Sequence, residues 1–287
     1  MRDAINAAVV NSAIDSINFS VNGTITLIHG ELVIPGKTLT IDATGHNITV
    51  KADSLANDPT PGVMNGDGVR IFNIVDTSAG GENPPEVTLI GLTLTGGDVS
   101  GNGGAIYSEA RLVVQDCAIE SNFATTWGGG IFQKNLSSTS AFEMLQIKDS
   151  RVQNNKTSGD GAGIHANLTR GTLTVESSTF TNNQATSGVG GGITVRGNHA
   201  SLDITSSTIS GNSAWRGGGI YAAVENGSVT ISRTKVNGLN TAVGYESAGA
   251  GAYLIANSNT HLTITETDVG DWSSPNLCTS MNERILG

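Results

Sequence analysis

Residues 190–193 read Gly-Gly-Gly-Ile, and residues 217–220 repeat the same four letters. Residues 128–131 carry the same phrase, and variants of it recur three more times between residues 103 and 252, each beginning with glycine and ending in an aliphatic residue. The final residues of the six phrases are Ile106, Ile131, Ile164, Ile193, Ile220 and Ala252, which are 25 to 33 residues apart. A period of this length predicts a solenoid built from stacked repeats.

Each phrase is followed by a short alternation of apolar and polar residues, which is typical of a strand with one buried face. Leu173 and Val175 show this alternation, Phe180 follows five positions later, and Asn183 three after that. Each repeat thus supplies three short strands, and stacking in parallel predicts three sheets around an apolar core. The fold class that we expect is all-β, a parallel β-helix with three sheets. The recurring asparagines predict an internal amide ladder; they are Asn122, Asn155, Asn183 and Asn212.

The repeats predict one β-helix domain over residues 1–287. Its parts are a capping helix and first strand over 1–20, rungs over 21–270, and a cap or tail over 271–287. Residues 2–10 are rich in Ala and place Ile5 four positions before Val9, which predicts a short amphipathic helix over the first rung. Residues 53–68, rich in Asp, Asn, Pro and Gly, predict a long loop.

The amino-acid composition argues against nucleic-acid and membrane partners. The 287 residues contain 15 basic and 25 acidic residues, for a net charge of −10. Because the basic residues are scattered, we expect no nucleic-acid partner, and no apolar run is long enough to span a membrane. Neither Cys117 and Cys278 nor the five scattered His form a metal-ligand motif. We therefore expect no metal and no cofactor, and Ca²⁺ binding stays open although no motif supports it.

The N-terminal residues resemble the opening of bacterial CSLREA-type proteins, in which a Leu-Arg-Glu-Ala-Ile helix precedes an Asp-x-Ile-x-Phe strand. Residues 1–5 read Met-Arg-Asp-Ala-Ile and residues 15–19 read Asp-Ser-Ile-Asn-Phe. The Gly-Gly-Gly-Ile units with Ser-x-Phe-x-x-Asn are similar to the repeats of polymorphic outer-membrane proteins and other surface-exposed parallel β-helices. This resemblance implies a right-handed helix and a secreted or cell-surface location, although the chain shows no export signal.

Pectin-processing enzymes share this fold, but their motifs are missing. Polygalacturonase-like hydrolases need an adjacent Asp pair, Gly-His-Gly and Arg-Ile-Lys, none of which occurs here. Pectate-lyase-like enzymes need a dense carboxylate cluster for Ca²⁺ and an Arg as base, and no strand is rich in Asp or Glu. The sequence leaves enzymatic activity uncertain and favours a non-enzyme.

Because the predicted rungs stack in parallel, residues at equivalent positions of successive repeats lie above one another and form columns along the axis. If each phrase-ending residue points inward, the next residue points outward, which predicts an exposed aromatic column suited to sugar rings. Its members are Tyr107, Phe132, His165, Thr194, Tyr221 and Tyr253. The alternative, which the pattern favours, is that the stacked rings only stabilise neighbouring strands, each pair contributing about 0.2–1 kcal/mol.

A second column lies at the corner just before each glycine run, where Trp127 and Arg216 stand, with Trp215 adjoining. This corner is a candidate ligand rim, while the alternative is that each Trp shields a glycine-rich turn. Asp160, His165 and Arg196 form the one acid–base–cation group that stacking brings together, and are weak catalytic candidates.

The sequence therefore favours a secreted or surface β-helix that acts as a binding, adhesion or structural module, with a polysaccharide or cell-surface glycan as the favoured ligand. We expect a monomer or a part of a larger surface protein. Two alternatives stay open: a polysaccharide lyase or glycoside hydrolase with a dispersed site, and a purely architectural stalk.

Overall fold

The computed structural model describes residues 1–11, 15–77, 84–134, 142–236, 240–243, 249–256, 259–269 and 272–273. The strands in this part of the chain form a parallel β-solenoid with three nine-stranded sheets and one six-stranded sheet. Sheet A contains β1 (Ser16–Asn18), β4 (Leu39–Asp42), β7 (Glu86–Ile90), β11 (Arg111–Gln115), β15 (Phe142–Lys148), β19 (Gly171–Glu176), β23 (Ser201–Thr205), β27 (Ser228–Ser232) and β31 (His261–Thr265).

The other two long sheets have the same parallel order. Sheet B contains β2 (Gly23–Thr26), β5 (Ile48–Lys51), β8 (Leu92–Thr95), β12 (Ala118–Glu120), β16 (Arg151–Gln153), β20 (Thr179–Thr181), β24 (Thr208–Ser210), β28 (Lys235–Val236) and β32 (Asp268–Val269). Sheet C contains β3 (Leu32–Pro35), β6 (Phe72–Val75), β10 (Ile106–Ser108), β14 (Ile131–Lys134), β18 (Ile164–Asn167), β22 (Ile193–Asn198), β26 (Ile220–Glu225), β30 (Ala252–Ala256) and β33 (Trp272–Ser273). The last strand lies just beyond the predicted end of the rungs, and the rest of the predicted cap or tail, with Cys278, lies outside the described residues.

A fourth sheet, which the repeat pattern did not reveal, lies between sheet B and the glycine runs. Sheet D has strands of two residues each: β9 (Asp98–Val99), β13 (Phe123–Ala124), β17 (Lys156–Thr157), β21 (Gln184–Ala185), β25 (Ser213–Ala214) and β29 (Thr241–Ala242). Strands this short show no periodicity in the sequence, so spacing alone could not predict them.

Strand register confirms the predicted repeat frame. Ile164 pairs with Ile193, Leu173 with Leu202, and Phe180 with Ile209. The apolar members of these strands are fully buried. Their neighbours in sheets A and B are polar and at least partly exposed, whereas in sheet C the neighbours His165 and Thr194 are buried as well. The burial of alternate residues in every rung is what holds the stack together.

Two ladders of polar side chains run inside the solenoid. The predicted amide ladder is present: Asn183 Nδ2 donates to Asn212 Oδ1 at 2.9 Å, and Asn155 Nδ2 donates to Asn183 Oδ1 at 3.0 Å. It continues to Asn240. The second ladder consists of hydroxyls at the sheet A–sheet B corner, where the backbone N–H of Ser150 donates to Ser178 Oγ at 3.1 Å. Its members are Ser150, Ser178, Ser207, Thr234 and Thr267, and Cys117 occupies its first position.

The glycine phrase is required by the close approach of successive corners. Gly190 has φ of +64°, a conformation that other residues adopt at a cost. A Cβ on Gly163 would lie 2.3 Å from the carbonyl oxygen of Gly192 in the next rung. Glycine is therefore the residue that lets the rungs stack at strand spacing at this corner.

The N-terminal end is covered by α1 (Arg2–Val10), as the sequence predicts. Ile5 and Ala8 are buried, whereas Val9 is only partly buried. The Arg2 guanidinium donates to the carbonyl oxygens of Glu31 and Gly30 at 2.8 and 2.7 Å, which ties the helix to the chain entering β3. No helix in the described ranges is long and apolar enough to cross a lipid bilayer.

Candidate functional site

Sheet C carries the predicted aromatic column in continuous register. Strand pairing runs in order through Tyr107, Phe132, His165, Thr194, Tyr221 and Tyr253. Neighbouring rings stack, with centroids 5.5 Å apart for Tyr107 and Phe132, 5.5 Å for Phe132 and His165, and 5.6 Å for Tyr221 and Tyr253. Thr194 separates the column into two halves.

The column is buried, so the prediction of an exposed aromatic stripe is wrong. Phe132 and His165 are each 2% exposed, Tyr221 and Tyr253 are each 6% exposed, and Tyr107 is half-buried. Strand alternation gives only the direction in which a side chain leaves the sheet. It does not show what covers that side chain, and here the cover comes from neighbouring side chains.

Trp127 covers the first half of the column. Its ring stacks on His165 with centroids 5.2 Å apart and lies 6.0 Å from Phe132. Trp127 nevertheless remains 38% exposed, and Trp215 is 40% exposed. The backbone N–H of Gly128 donates to Asp160 O, and that of Gly190 donates to Arg216 O, which confirms that this corner forms a column of its own.

Three arginine side chains complete the cover. The guanidinium of Arg70 lies over the Tyr107 ring at 5.3 Å, that of Arg196 over Tyr221 at 4.7 Å, and that of Arg216 over Tyr253 at 5.5 Å. Cation–π contacts of this kind contribute about 0.5–2 kcal/mol. The rings of the column and the arginines that cover them therefore pack together beside the corner.

The three catalytic candidates do lie together. Arg196 Nη2 donates to Asp160 Oδ2 at 3.1 Å, and Asp160 Oδ1 accepts the backbone N–H of Val189 at 2.9 Å. Burial lowers the pKa of His165 to about 4, and the Asp160 carboxylate opposes this shift. The imidazole is therefore neutral at pH 7. It lies beneath Trp127, so a polymer has no direct access to it, and both Asp160 oxygens already accept hydrogen bonds.

The Tyr107 end of the column is built in the same way. Its hydroxyl donates to Glu109 Oε1 at 2.8 Å, and Lys134 Nζ lies 3.3 Å from the same oxygen. Burial, followed by the Glu109 hydrogen bond and charge, raises the pKa of Tyr107 above its usual range. The Tyr107 phenol therefore donates a hydrogen bond to the Glu109 carboxylate and does not serve as a general base.

A second group of polar residues, which spacing did not predict, lies near the N-terminal third. Asp58, Asp67 and Asp98 bring carboxylate oxygens within 4.8 Å of one another. Asp98 accepts the backbone N–H groups of Gly66 and Asn65 at 2.7 and 3.1 Å, which ties the predicted loop of residues 53–68 to sheet D. Burial raises the pKa of Asp58 and of Asp98, and neighbouring carboxylates contribute to both shifts.

Asp58 and Asp98, but not Asp67, border a pocket of about 280 Å³ that Asp53, Thr95 and Ser121 also line. Carboxylates at this spacing are ligands of the kind that Ca²⁺ prefers. The sequence signal for the loop was its Asp and Asn content, but Asp98 lies 31 positions after Asp67, so its place in the group could not be inferred.

Comparison with known proteins identifies the family and little beyond it. The model described as "Right handed beta helix region" matches residues 42–209, which is more than half of the chain. The model of the Chlamydia polymorphic membrane protein repeat matches residues 206–223. No curated protein and no solved structure shows significant similarity to the chain. The likeness of the N-terminal residues to CSLREA-type proteins stays a prediction. By its longest match and its parallel stacked sheets, the chain belongs to the right-handed β-helix family.

Proposed function

We propose that this β-helix is a glycan-binding module of a secreted or surface-exposed protein, and that its contact surface is the corner carrying Trp127 and Trp215. The single observation that carries the proposal is the exposure of these two rings, 38% and 40%, on one corner of the stack. Exposed aromatic side chains offer an apolar face with low entropic cost on binding, which suits the apolar faces of sugar rings.

The spacing of the two tryptophans supports a polymeric ligand. Backbone hydrogen bonds place three rung intervals between Trp127 and Arg216, the residue after Trp215. At about 4.8 Å per strand this corresponds to about 14 Å along the axis. The Arg196 side chain, which is 39% exposed, lies between them, and its N–H groups that do not bind Asp160 are donors for hydroxyls. The buried column of Tyr107, Phe132, Tyr221 and Tyr253 supports this corner from beneath and does not itself contact the ligand.

The surface location is proposed from the repeat match to a membrane protein of Chlamydia, which covers 18 residues. A polysaccharide lyase or hydrolase acting through Asp160, His165 and Arg196 is less well supported because the imidazole is buried beneath Trp127. An architectural stalk would need no exposed tryptophans at one corner.

The test is retention of the protein by immobilised polysaccharides in affinity electrophoresis. The Trp215→Ala variant and the Trp127→Ala/Trp215→Ala variant should lose at least about tenfold in affinity, while Leu55→Ala, which removes an exposed apolar side chain elsewhere, should not. Thermal unfolding of each variant controls for folding, because Trp127 also stacks on the column. Equal retention of all variants would contradict the proposal. Shortening of the polymer would indicate an enzyme, and no retention of the native protein by any polysaccharide would favour a stalk.

A further inference from the structure

Arg216 differs from the other two arginines that cover the aromatic column. Arg70 Nε lies 3.4 Å from Glu31 Oε2, and Arg196 Nη2 lies 3.1 Å from Asp160 Oδ2, so both charges are neutralised. Arg216 has no such partner: none of the six ion pairs in the described part of the chain includes it.

The Arg216 side chain also has an unused hydrogen-bond donor. Its Nε is buried and makes no hydrogen bond to the protein. The guanidinium is held in place by the Tyr253 ring, 5.5 Å from the centroid. Arg70 Nε likewise makes no hydrogen bond, so the feature particular to Arg216 is its unpaired charge. Arg216 is partly exposed, and an anion bound at the accessible part of its guanidinium would neutralise that charge.

Arg216 follows Trp215 directly, so the unneutralised cation adjoins one of the two exposed rings. We propose that Trp215 and Arg216 form a subsite for an anionic group on the bound glycan, either a carboxylate or a sulfate ester. The planar guanidinium, with parallel N–H donors, matches both groups. This inference rests on the proposed function and narrows its ligand from glycans in general to glycans with acidic substituents.

The protein's net charge of −10 opposes the approach of a polyanion, so selectivity must come from contact at the subsite and not from long-range attraction. At an ionic strength of about 0.15 M the Debye length is about 8 Å, which confines the charges that matter to the neighbourhood of Arg216. The affinities for neutral and acidic ligands should therefore be compared at this ionic strength.

The experiment measures affinity by calorimetry for a glucan hexasaccharide, its sulfated form and hexagalacturonate. The native protein should bind both acidic ligands at least about tenfold more tightly than the neutral one. The Arg216→Gln variant should bind all three equally, and Arg216→Lys should keep part of the preference. The matched control is Arg70→Gln, which removes a cation from the same column where Glu31 already neutralises it, and should leave the preference unchanged.

The outcomes separate this inference from the proposed function. The subsite would be overturned if the native protein bound neutral and acidic hexasaccharides equally well. It would also be overturned if the Arg216→Gln variant kept the preference for acidic hexasaccharides. Either result would leave glycan binding intact. Inorganic sulfate that binds alone as tightly as the sulfated sugar, again through Arg216, would make this an anion site without a glycan and would overturn the inference. Failure of all three sugars to bind would overturn both proposals.

Discussion

At the scale of single residues, His165 is 2% exposed and stacks beneath the Trp127 ring, with the centroids 5.2 Å apart. Its place in the column, beside Phe132 and near Asp160 and Arg196, follows from the position after Ile164 in the repeat. Its burial does not, because it depends on the Trp127 ring, which comes from the corner of the preceding rung. A residue that the pattern offers as an exposed base is therefore a buried, neutral member of a ring stack.

The buried imidazole makes a testable contribution to stability. Its folded pKa of about 4 lies below its ordinary value of 6.5, so the unfolded chain binds the proton more tightly between these values. The contribution is fully present above pH 6.5 and is lost as the pH falls through 4. Replacing His165 with Phe should remove this dependence, roughly 1–3 kcal/mol across that window.

The measurement is denaturant unfolding at pH 7 and pH 4.5 for both proteins. The native protein should lose more free energy of unfolding than His165→Phe does on acidification. Subtracting the two cancels the opposite trend of Asp58 and Asp98, whose raised pKa values relieve charge repulsion at acid pH. Identical pH profiles would show that His165 is not buried in its neutral form.

Cys117 is a second residue whose role comes from its place in a ladder. Its Sγ accepts the backbone N–H of Leu92 at 3.4 Å, in the position that Ser or Thr occupies in later rungs, and burial raises its pKa to about 12. Within the described residues Cys117 is a buried free thiol. Replacing Cys117 with Ser should change the free energy of unfolding by less than about 1 kcal/mol in thermal scans. A loss of several kcal/mol would mean that the thiol has a packing role that a hydroxyl cannot replace.

At the scale of structural elements, the sequence predicts those whose residues recur at regular spacing. It does not predict strands of two residues, or ladders built from residue types that are frequent throughout the chain. The three long sheets and the amide ladder follow from alternation and from the recurring Asn. Sheet D has only two residues per strand, and the hydroxyl ladder uses Ser and Thr, which are so frequent in this chain that their register does not stand out. Sheet D and the hydroxyl ladder both lie where the chain turns between the long sheets, and the conformation there depends on backbone geometry more than on an apolar pattern.

The amide ladder should be the most sensitive of these elements. Asn183 is fully buried; its Nδ2 donates to Val152 O and Asn212 Oδ1, and its Oδ1 accepts from the N–H and Nδ2 of Asn155. Replacing Asn183 with Ala leaves several buried partners unsatisfied, so we expect a loss of about 3 kcal/mol or more in urea unfolding.

The control for this change is Asn198→Ala, since Asn198 Oδ1 accepts from Asn226 Nδ2 at 2.8 Å on the solvent-exposed side of the stack. An exposed amide pair should contribute within about 0.5 kcal/mol. Similar losses in the two variants would show that the interior ladder has no special role in stacking the rungs.

At the scale of the whole molecule, the fold class could be predicted from the repeat almost completely, whereas the ligand surface could not. In the described part of the chain, nine strands per long sheet, about 4.8 Å apart, form a stack about 38 Å long. Repetition fixes which positions line up along that stack. It does not fix which of the aligned side chains reach solvent, and for that reason the predicted ligand surface moves from the aromatic column to the corner beside it, at Trp127 and Trp215.

Because the corner that carries Trp127 and Trp215 runs along the axis of the stack, the dependence of affinity on oligosaccharide length is the most direct test of glycan binding. Affinity should be measured by calorimetry for a series of acidic oligosaccharides from two to eight sugars, with the native protein and with Trp215→Ala. If Trp127 and Trp215 bind one chain along the axis, affinity should rise with length until the ligand spans about 14 Å and then level off, and the variant should lose that rise. Affinity that does not depend on length beyond a disaccharide, or a rise that survives in Trp215→Ala, would contradict binding along this corner.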